Sequence, residues 1–310
     1  MCHQNLWMNL IALVSSTEFF HNRYLQNTQN TLTFFLISVL ASPDSSLCWI
    51  QYVAFHIERK AYDSAREVIK RALSKINFRE ETERFNVYIA WLNLELHFGS
   101  EEDADKVFKE AVQCNDEFKV YEKAATIYMQ SDKHEKAEKL YKLMARKFSK
   151  ELNVWLLLGE FYYKTNNLKE ARFTLQRSLQ FLSKKSESVQ VSSKFAQYEF
   201  QYGEAERGKS IFEYIVRDFP ARIDQWCVYV DMVIKKGEIE TAREIFERMI
   251  HLGLGPKRMK SLFKKYCEFE QTHGDEVKVD AVRNKALEYL EKQNVKVNDE
   301  DDPMDQMEAC

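Results

Sequence analysis

The sequence predicts an all-α protein in which about seven helix pairs stack into a right-handed α-α superhelix, or solenoid. The chain contains only 8 Gly and 4 Pro among 310 residues, whereas average usage would give roughly 22 and 15. These two residues punctuate sheets and turns, so their scarcity favours helices. From Trp49 onward a pattern recurs about every 34 residues, a period typical of stacked supersecondary units.

A small residue marks the middle of the second helix in each unit. Successive members of the series are 39, 33, 34, 37, 34 and 37 residues apart. Two antiparallel helices can approach closely only where one of them carries a small residue, so that a large ring from the other fills the space. The series consists of Ala65, Ala104, Ala137, Ala171, Gly208 and Ala242, with the larger Val279 as its seventh member.

Aromatic residues occupy the first helix of most units. Sixteen residues before the small positions lie Trp49, Tyr88, Tyr121, Trp155, Ser192, Trp226 and Phe263. One helical turn further along the same face lie Tyr52, Trp91, Ala124, Leu158, Phe195, Tyr229 and Tyr266. Small or apolar residues such as Ala286 follow the small position by seven residues. We predict that these residues pack the two helices of each pair together.

Turn-forming dipeptides separate the two helices of most units. They include Gly99-Ser100, Asn166-Asn167, Gly203-Glu204, Gly237-Glu238 and Gly274-Asp275. Gly and Asn tolerate the left-handed conformation that commonly ends a helix. We therefore expect this conformation at these turns.

The two ends of the chain differ from its centre. Residues 1–40 contain no Lys and show no sustained helical period, so we predict an atypical, poorly ordered extension. Their two apolar runs are about half as long as a bilayer crossing requires. The helical repeat domain is predicted over residues 41–293. Residues 294–310 are acidic and poor in apolar residues, which predicts a disordered tail.

The charge distribution argues against a dedicated nucleic-acid binder. The formal net charge is −3, although six carboxylates lie within the last twelve residues and leave about +3 on the rest. A strongly basic balance is expected of dedicated nucleic-acid binders. The six cysteines are scattered through a chain too long to need disulfide staples, which favours reduced thiols.

No pattern of catalytic or metal-binding residues stands out in the sequence. None of the seven histidines pairs with another at a spacing of four, and no Cys-x-x-Cys or His-Glu-x-x-His is present. The Gly253-Leu254-Gly255-Pro256 run lacks the downstream Gly-Lys of a phosphate loop. We therefore predict no enzymatic activity, no catalytic residue, no metal, no cofactor, no small-molecule substrate and no membrane association.

One group of basic residues is a candidate binding surface. Cations near the start of a helix oppose the helix macrodipole, which costs roughly 0.3 to 1 kcal/mol. Helix stability therefore gives no reason for them, whereas a phosphate backbone or an acidic protein partner does. A merely solvated helix face is the alternative. The candidate residues are Lys235, Lys236, Lys257, Arg258, Lys260, Lys264 and Lys265.

The units resemble the half-a-TPR (HAT) repeat, a relative of the tetratricopeptide (TPR). The resemblance rests on paired aromatics, a Glu that ends the first helix, such as Glu199 or Glu270, and a small residue followed by a basic one, as in Ala242-Arg243. Two units depart from it, because Ser192 replaces an aromatic and the third unit reads more like a TPR. The fold is thus expected to be a solenoid of HAT/TPR-like pairs.

Residues 38–293 also resemble the carboxy-terminal HAT domain of the ribosomal RNA-processing protein five (programmed cell death protein eleven) family. The resemblance is carried by Ala41-Ser42-Pro43-Asp44, Trp49-Ile50-Gln51-Tyr52, Phe78-Arg79-Glu80-Glu81 and Trp91-Leu92-Asn93-Leu94-Glu95. In that family OB-fold RNA-binding modules precede the HAT domain, and the resemblance covers the HAT domain alone.

This resemblance implies a non-enzymatic scaffold for ribosomal RNA processing and small-subunit ribosome biogenesis in the nucleus and nucleolus. The implied partners are ribosome-assembly proteins, with pre-rRNA or a small nucleolar ribonucleoprotein as further candidates. Two alternatives remain open at this point. One is a HAT-repeat scaffold of mRNA splicing or 3′-end processing, and the other is a TPR co-chaperone.

Overall fold

The structure is a computed structural model that describes the backbone of residues 28–300 and the side chains of residues 32–291. Fifteen α-helices and no strand are present in this described range. The helices are α1 Thr28–Ala41, α2 Ser46–Glu58, α3 Tyr62–Lys75, α4 Glu81–Phe98, α5 Glu101–Cys114, α6 Glu117–Gln130, α7 His134–Lys147, α8 Leu152–Lys164, α9 Leu168–Phe181, α10 Lys185–Tyr202, α11 Ala205–Asp218, α12 Ile223–Lys235, α13 Ile239–Ile250, α14 Pro256–His273 and α15 Glu276–Glu300.

The helices after α1 form seven consecutive pairs, which confirms the predicted all-α helical-repeat fold. The pairs are α2/α3, α4/α5, α6/α7, α8/α9, α10/α11, α12/α13 and α14/α15. The chain divides into two compact units, residues 1–158 and residues 159–310, and the division falls inside α8. Each unit builds its core from the aromatic and small positions that the sequence repeats.

In the first unit, α2, α3 and α4 bury one continuous apolar cluster. Trp49 of α2, Ile69 of α3 and Leu94 of α4 belong to it, and each is nearly inaccessible to solvent. Ala65 and Ala72 lie fully buried on one face of α3. These small side chains let α2 approach α3 closely, as the repeat spacing predicts.

In the second unit, aromatic rings connect each helix pair to the next. The rings of Phe212 on α11 and Tyr229 on α12 stack at 5.1 Å. The rings of Phe246 on α13 and Tyr266 on α14 stack at 4.7 Å and are nearly parallel. Stacking of this kind adds about 0.5 to 1.5 kcal/mol beyond area burial, so neighbouring pairs are held by matching contacts.

The structure differs from the sequence prediction over residues 28–40, which form most of helix α1. Leu32, Phe35 and Val39 recur at helical spacing and pack on the core that contains Trp49. The period was hard to detect because Leu32–Ala41 is almost entirely apolar, and no polar face marks the turns. Residues 1–27 lie outside the described range.

Helix α15 differs in a similar way from the predicted tail, because it continues to Glu300. The helix packs against α14, and Tyr289 donates a hydrogen bond from its hydroxyl to the carbonyl oxygen of Leu254, just before α14, at 3.0 Å. The predicted disordered tail was placed at residues 294–310. The backbone is helical as far as residue 300, and residues 301–310 lie outside the described range.

Candidate functional site

Three charged joints connect consecutive helix pairs, and each uses one arginine and one glutamate. Arg66 of α3 donates to both carboxylate oxygens of Glu95 on α4, at 2.8 and 2.9 Å. Arg172 of α9 does the same to Glu199 on α10, at 2.7 and 3.1 Å. The third joint joins Arg243 of α13 to Glu270 of α14, at 2.7 and 3.0 Å. Each is a bidentate pair, the strongest geometry for these groups.

The carboxylates of these joints are buried. Relative exposure is 3% for Glu95, 0% for Glu199 and 1% for Glu270. Burial alone would raise the pKa of Glu199, but hydrogen bonds from Arg172, the Glu204 amide and Tyr163 outweigh it and lower that pKa. The hydrogen bond to Glu199 is also the main reason why the pKa of Arg172 is raised. Both groups of this joint are therefore charged near neutral pH.

A glycine follows each of these glutamates by four residues. A Cβ atom on Gly99, Gly203 or Gly274 would overlap the carboxylate oxygen of Glu95, Glu199 or Glu270 respectively. The predicted left-handed conformation is wrong at these three turns, where φ is −98°, −119° and −110°. The glycines instead leave space for the buried carboxylates. At Asn166 and Gly237, with φ of 57° and 81°, the left-handed conformation is present.

Three tryptophans at the lead aromatic position share one hydrogen bond. The indole Nε1–H groups of Trp49, Trp155 and Trp226 donate to backbone carbonyls six residues earlier, at 2.8, 2.9 and 3.1 Å. The acceptors are Pro43, Ser149 and Pro220. Each tryptophan is at least 97% buried, so the bond satisfies a polar group that would otherwise lose its partner.

The structure places nearly all of the predicted repeat-packing residues in the interior. Trp91 and Ala286 are half-buried, and Trp91 donates from Nε1 to Glu95 at 3.1 Å. The fully or largely buried members are Trp49, Tyr52, Ala65, Tyr88, Ala104, Tyr121, Ala137, Trp155, Ala171, Phe195, Gly208, Trp226, Tyr229, Ala242, Phe263 and Tyr266.

The candidate basic residues fall into two groups. Lys265 of α14 forms an ion pair with Asp231 of α12 at 2.9 Å. Helices α12 and α14 run parallel, because each contacts α13 in the antiparallel sense. Lys235 lies one turn beyond Asp231, and Lys257 lies about two turns before Lys265. At 1.5 Å per residue the two groups are about 18 Å apart along the helix axes.

The group at the start of α14 consists of Lys257, Arg258, Lys260 and Lys264, and we call it the α14 basic surface. Lys257, Arg258 and Lys260 are exposed and have no ion pair among the described residues. Lys264 makes a wide ion pair with Glu268 at 3.8 Å, in which both side chains are largely exposed. Lys235 and Lys236 are likewise exposed at the end of α12. The role of these residues stays a prediction.

Sequence reasoning missed an open groove of about 710 Å³ on α11 and α13. Its lining includes Glu213, Tyr214, Arg217 and Arg248. Arg248 donates to both oxygens of Glu213 at 2.7 and 2.9 Å, and this hydrogen bonding lowers the pKa of Glu213. The partners are 35 residues apart in sequence, so no local pattern indicates them. The groove is lined by charges that already neutralise one another.

The described side chains contain no cluster of three or more His, Cys, Asp or Glu residues placed to hold a metal ion. Over the same part of the chain, no helix is both long enough and apolar enough to cross a membrane.

Comparisons with known proteins extend these observations. The chain is 47% identical over 261 residues to the protein RRP5 homolog of Mus musculus, a match that covers 84% of this chain and 14% of that protein. The rRNA biogenesis protein rrp5 of Schizosaccharomyces pombe is 40% identical over 266 residues, covering 86% of this chain and 16% of that protein. This chain thus spans about one seventh of the length of the first relative.

Two more distant matches were also found. Crooked neck-like protein 1 of Mus musculus is 24% identical over 264 residues, covering 84% of this chain and 33% of that protein. Among solved structures, a tetratricopeptide repeat protein from Parabacteroides merdae has a TM-score of 0.37 and 15% identity, over 77% of this chain and 91% of that one.

A family model also matches most of the chain. Residues 40–301 match the family described as the pre-mRNA-splicing factor Syf1/CRNKL1 C-terminal HAT repeat. This range contains all seven helix pairs and all three Arg–Glu joints. The chain therefore belongs to this HAT-repeat family, and it is strongly similar to RRP5 homologs over most of its length.

Proposed function

We propose that this chain is a non-enzymatic scaffold for ribosomal RNA processing and small-subunit ribosome biogenesis. One observation carries the proposal, namely the 47% identity to an RRP5 homolog along the helical array. The Schizosaccharomyces pombe relative is named an rRNA biogenesis protein. Because these relatives are far longer than this chain, we propose their role for this chain.

The geometry supports a scaffold because its buried polar groups serve the contacts between helix pairs. Arg172 and Arg243 reach carboxylates of the next pair. In three of the pairs, a lead tryptophan also bonds the backbone before the first helix. Such an array presents side chains at fixed spacing, which is how repeat proteins form extended binding surfaces.

The proposed partners are ribosome-assembly proteins in the nucleolus, with pre-rRNA or a small nucleolar ribonucleoprotein as nucleic-acid partners. Proximity labelling by the full chain in cells tests compartment and neighbours together. We expect small-subunit assembly factors and nucleolar proteins to be enriched over a control in which the label carries a nuclear import signal alone. Enrichment of cytoplasmic chaperones instead would support the co-chaperone alternative.

A second candidate is a scaffold of mRNA splicing. It is favoured by the matching family, whose description names a pre-mRNA-splicing factor, and by the crooked neck-like relative at 24% identity. Immunoprecipitation followed by RNA sequencing separates the two candidates. Recovery of spliceosomal RNAs without pre-rRNA would refute the ribosomal proposal, whereas the reverse result would support it.

We further propose that the α14 basic surface contacts the phosphate backbone of pre-rRNA. Lys257, Arg258 and Lys260 carry exposed charge that no described residue neutralises. Each phosphate contact with a single strand contributes about 0.7 to the slope of log affinity against log salt. Replacing all three by Ala should therefore weaken binding of a single-stranded oligonucleotide and reduce the slope by about 2.

The matched control for this test is Lys169→Ala, which removes an exposed cation from α9. Fluorescence anisotropy at several salt concentrations measures affinity and slope for both variants. Equal affinities and slopes for the triple variant and the parent chain would assign the RNA contact elsewhere.

A further inference from the structure

The α14 basic surface lies at the end of the last helix pair where α14 begins. Lys257, Arg258 and Lys260 occupy the first turns of α14, where the macrodipole disfavours cations. They are exposed and lack ion-pair partners within the described residues. The structure therefore leaves a compact group of positive charge that contributes nothing evident to packing.

The chain brings its own carboxy-terminal residues back to this end. Helix α15 runs antiparallel to α14, because Tyr289 in the second half of α15 contacts Leu254 and Phe263 near the start of α14. The Tyr289 hydroxyl donates to the Leu254 carbonyl at 3.0 Å, and the rings of Phe263 and Tyr289 are 6.1 Å apart. Residues that follow Tyr289 consequently leave the pair on the side where α14 begins.

These following residues carry a dense negative charge. After Lys296 the sequence has no further Lys or Arg. The carboxylates are Asp299, Glu300, Asp301, Asp302, Asp305 and Glu308. Their number exceeds that of the four cations on the α14 basic surface, so the two charge groups are complementary in sign and similar in size.

The length of chain is sufficient for the two groups to meet. Helix α15 continues for about 16 Å beyond Tyr289, as its end at Glu300 gives. Residues 301–310 span at most about 33 Å when extended. A chain that leaves the helix at Glu300 can therefore return to Lys257 and Arg258.

We propose that the acidic segment 301–310, which carries Asp301, Asp302, Asp305 and Glu308, docks on the α14 basic surface of the same chain. Each exposed ion pair contributes little alone, about 0.2 to 1 kcal/mol. Tethering, however, gives the segment an effective concentration on the order of millimolar, so several weak pairs suffice for occupancy at low salt. The segment covers the surface in the absence of a ligand and is released by salt.

A consequence of this contact rests on the proposed function. If the α14 basic surface binds RNA phosphates, the acidic segment competes with RNA for the same cations. The segment then restricts binding to ligands that carry several phosphates, because a single phosphate cannot displace it from all of the cations. Docking itself does not depend on RNA, and the experiment below separates the two.

Zero-length carbodiimide cross-linking of the full chain, followed by peptide mass spectrometry, tests the docking. At about 50 mM salt, where charges act over about 14 Å, we expect amide cross-links from Lys257, Lys260 or Lys264 to carboxylates of residues 301–308. At about 300 mM salt the same cross-links should fall several-fold. Lys169, exposed on α9, is the internal control. No cross-links at α14, or equal frequency at Lys169, would overturn the proposal.

Isotope mixing determines whether the contact is within one chain. An equal mixture of nitrogen-15-labelled and unlabelled chains should give cross-linked peptides that are entirely heavy or entirely light. A large share of mixed pairs would overturn the intramolecular contact in favour of a second copy.

A binding measurement tests the competition with RNA. The tail variant carries Asp301→Asn, Asp302→Asn, Asp305→Asn and Glu308→Gln. We expect it to bind a uridine oligonucleotide at least about threefold more tightly than the parent chain at about 50 mM salt, with the gap closing at about 300 mM. Cross-links without RNA binding by either chain would support docking and refute the RNA contact.

Discussion

The carboxylate of Glu199 accepts hydrogen bonds from the guanidinium of Arg172 and the hydroxyl of Tyr163, and both donors belong to the preceding helix pair. The distances to Arg172 are 2.7 and 3.1 Å, and the distance to Tyr163 is 3.0 Å. The backbone amide of Glu204 donates a further bond at 3.1 Å. A buried charge satisfied in this way ties two helix pairs together and makes the joint sensitive to the loss of either partner.

Replacing Glu199 by Gln should destabilise the chain by about 3 kcal/mol, because the Arg172 guanidinium loses its buried counter-charge. Arg172 then keeps only the more exposed Glu204 carboxylate, at 3.1 Å. Urea unfolding followed by circular dichroism measures the change. Asp280→Asn removes an exposed ion pair with Arg283 and should cost at most about 0.5 kcal/mol. Similar losses for both variants would indicate that the joint contributes no more than a surface pair.

Gly203→Ala should also open this joint, although it removes no polar group. The added methyl would overlap a carboxylate oxygen of Glu199, so the carboxylate must move away from Arg172. We expect a loss of about 1 to 3 kcal/mol in unfolding free energy. Gly255→Ala is the matched control, because its backbone φ is −61° and nothing lies within 4 Å of the added atom. A neutral Gly203→Ala would show that the carboxylate relocates without cost.

The joint at Glu199 should make stability depend on pH in the acid range. Its folded pKa lies below the ordinary value, so the stabilisation is fully present above about pH 4.3, the unfolded pKa of a glutamate. It is lost as pH falls through the folded pKa. The difference in unfolding free energy between the parent chain and Glu199→Gln should therefore shrink below about pH 4. A difference that is constant from neutral to acid pH would contradict this assignment.

Trp226→Phe should remove one hydrogen bond while leaving most of the packing in place. The indole Nε1–H donates to the Pro220 carbonyl at 3.1 Å, and the Arg248 guanidinium lies 5.1 Å from the ring centroid. We expect a loss of about 1 kcal/mol from the hydrogen bond. The urea dependence of the unfolding free energy should be unchanged, and a reduced dependence would point to a wider rearrangement than the loss of one bond.

The helix pairs were predictable because their signals are local. A small residue such as Ala242 and an aromatic such as Trp226 recur at fixed spacing within one unit, and that spacing follows from how two helices pack. Helix α1 was not predictable in this way, because its apolar residues, among them Phe35 and Val39, leave no polar face to mark a period.

The joints were visible in part. Arg243, Glu199 and Glu270 could be recognised as positions of the repeat motif, but nothing in the sequence showed that an arginine pairs with a glutamate of the next unit. The partners are 27 or 29 residues apart, and many other charges lie on the same helices. The sequence predicted a left-handed conformation for Gly203. The structure shows instead that Gly203 leaves space for the Glu199 carboxylate, a contact that no sequence pattern indicates.

The unequal spacing of the joints has a consequence for how such a chain tolerates insertions and deletions. Arg66 and Glu95 are 29 residues apart, whereas the other two joints span 27. In all three the arginine lies four residues into its helix and the glutamate fourteen residues into the next long helix. Compared with the Arg172–Glu199 joint, the two extra residues fall in the turn between α3 and α4, which has five residues against three, and lengthening a loop costs little entropy. The turn between α13 and α14 also has five residues, and helix α13 is two residues shorter than α3. Turns between pairs can therefore gain or lose residues in related chains while the joints keep their geometry.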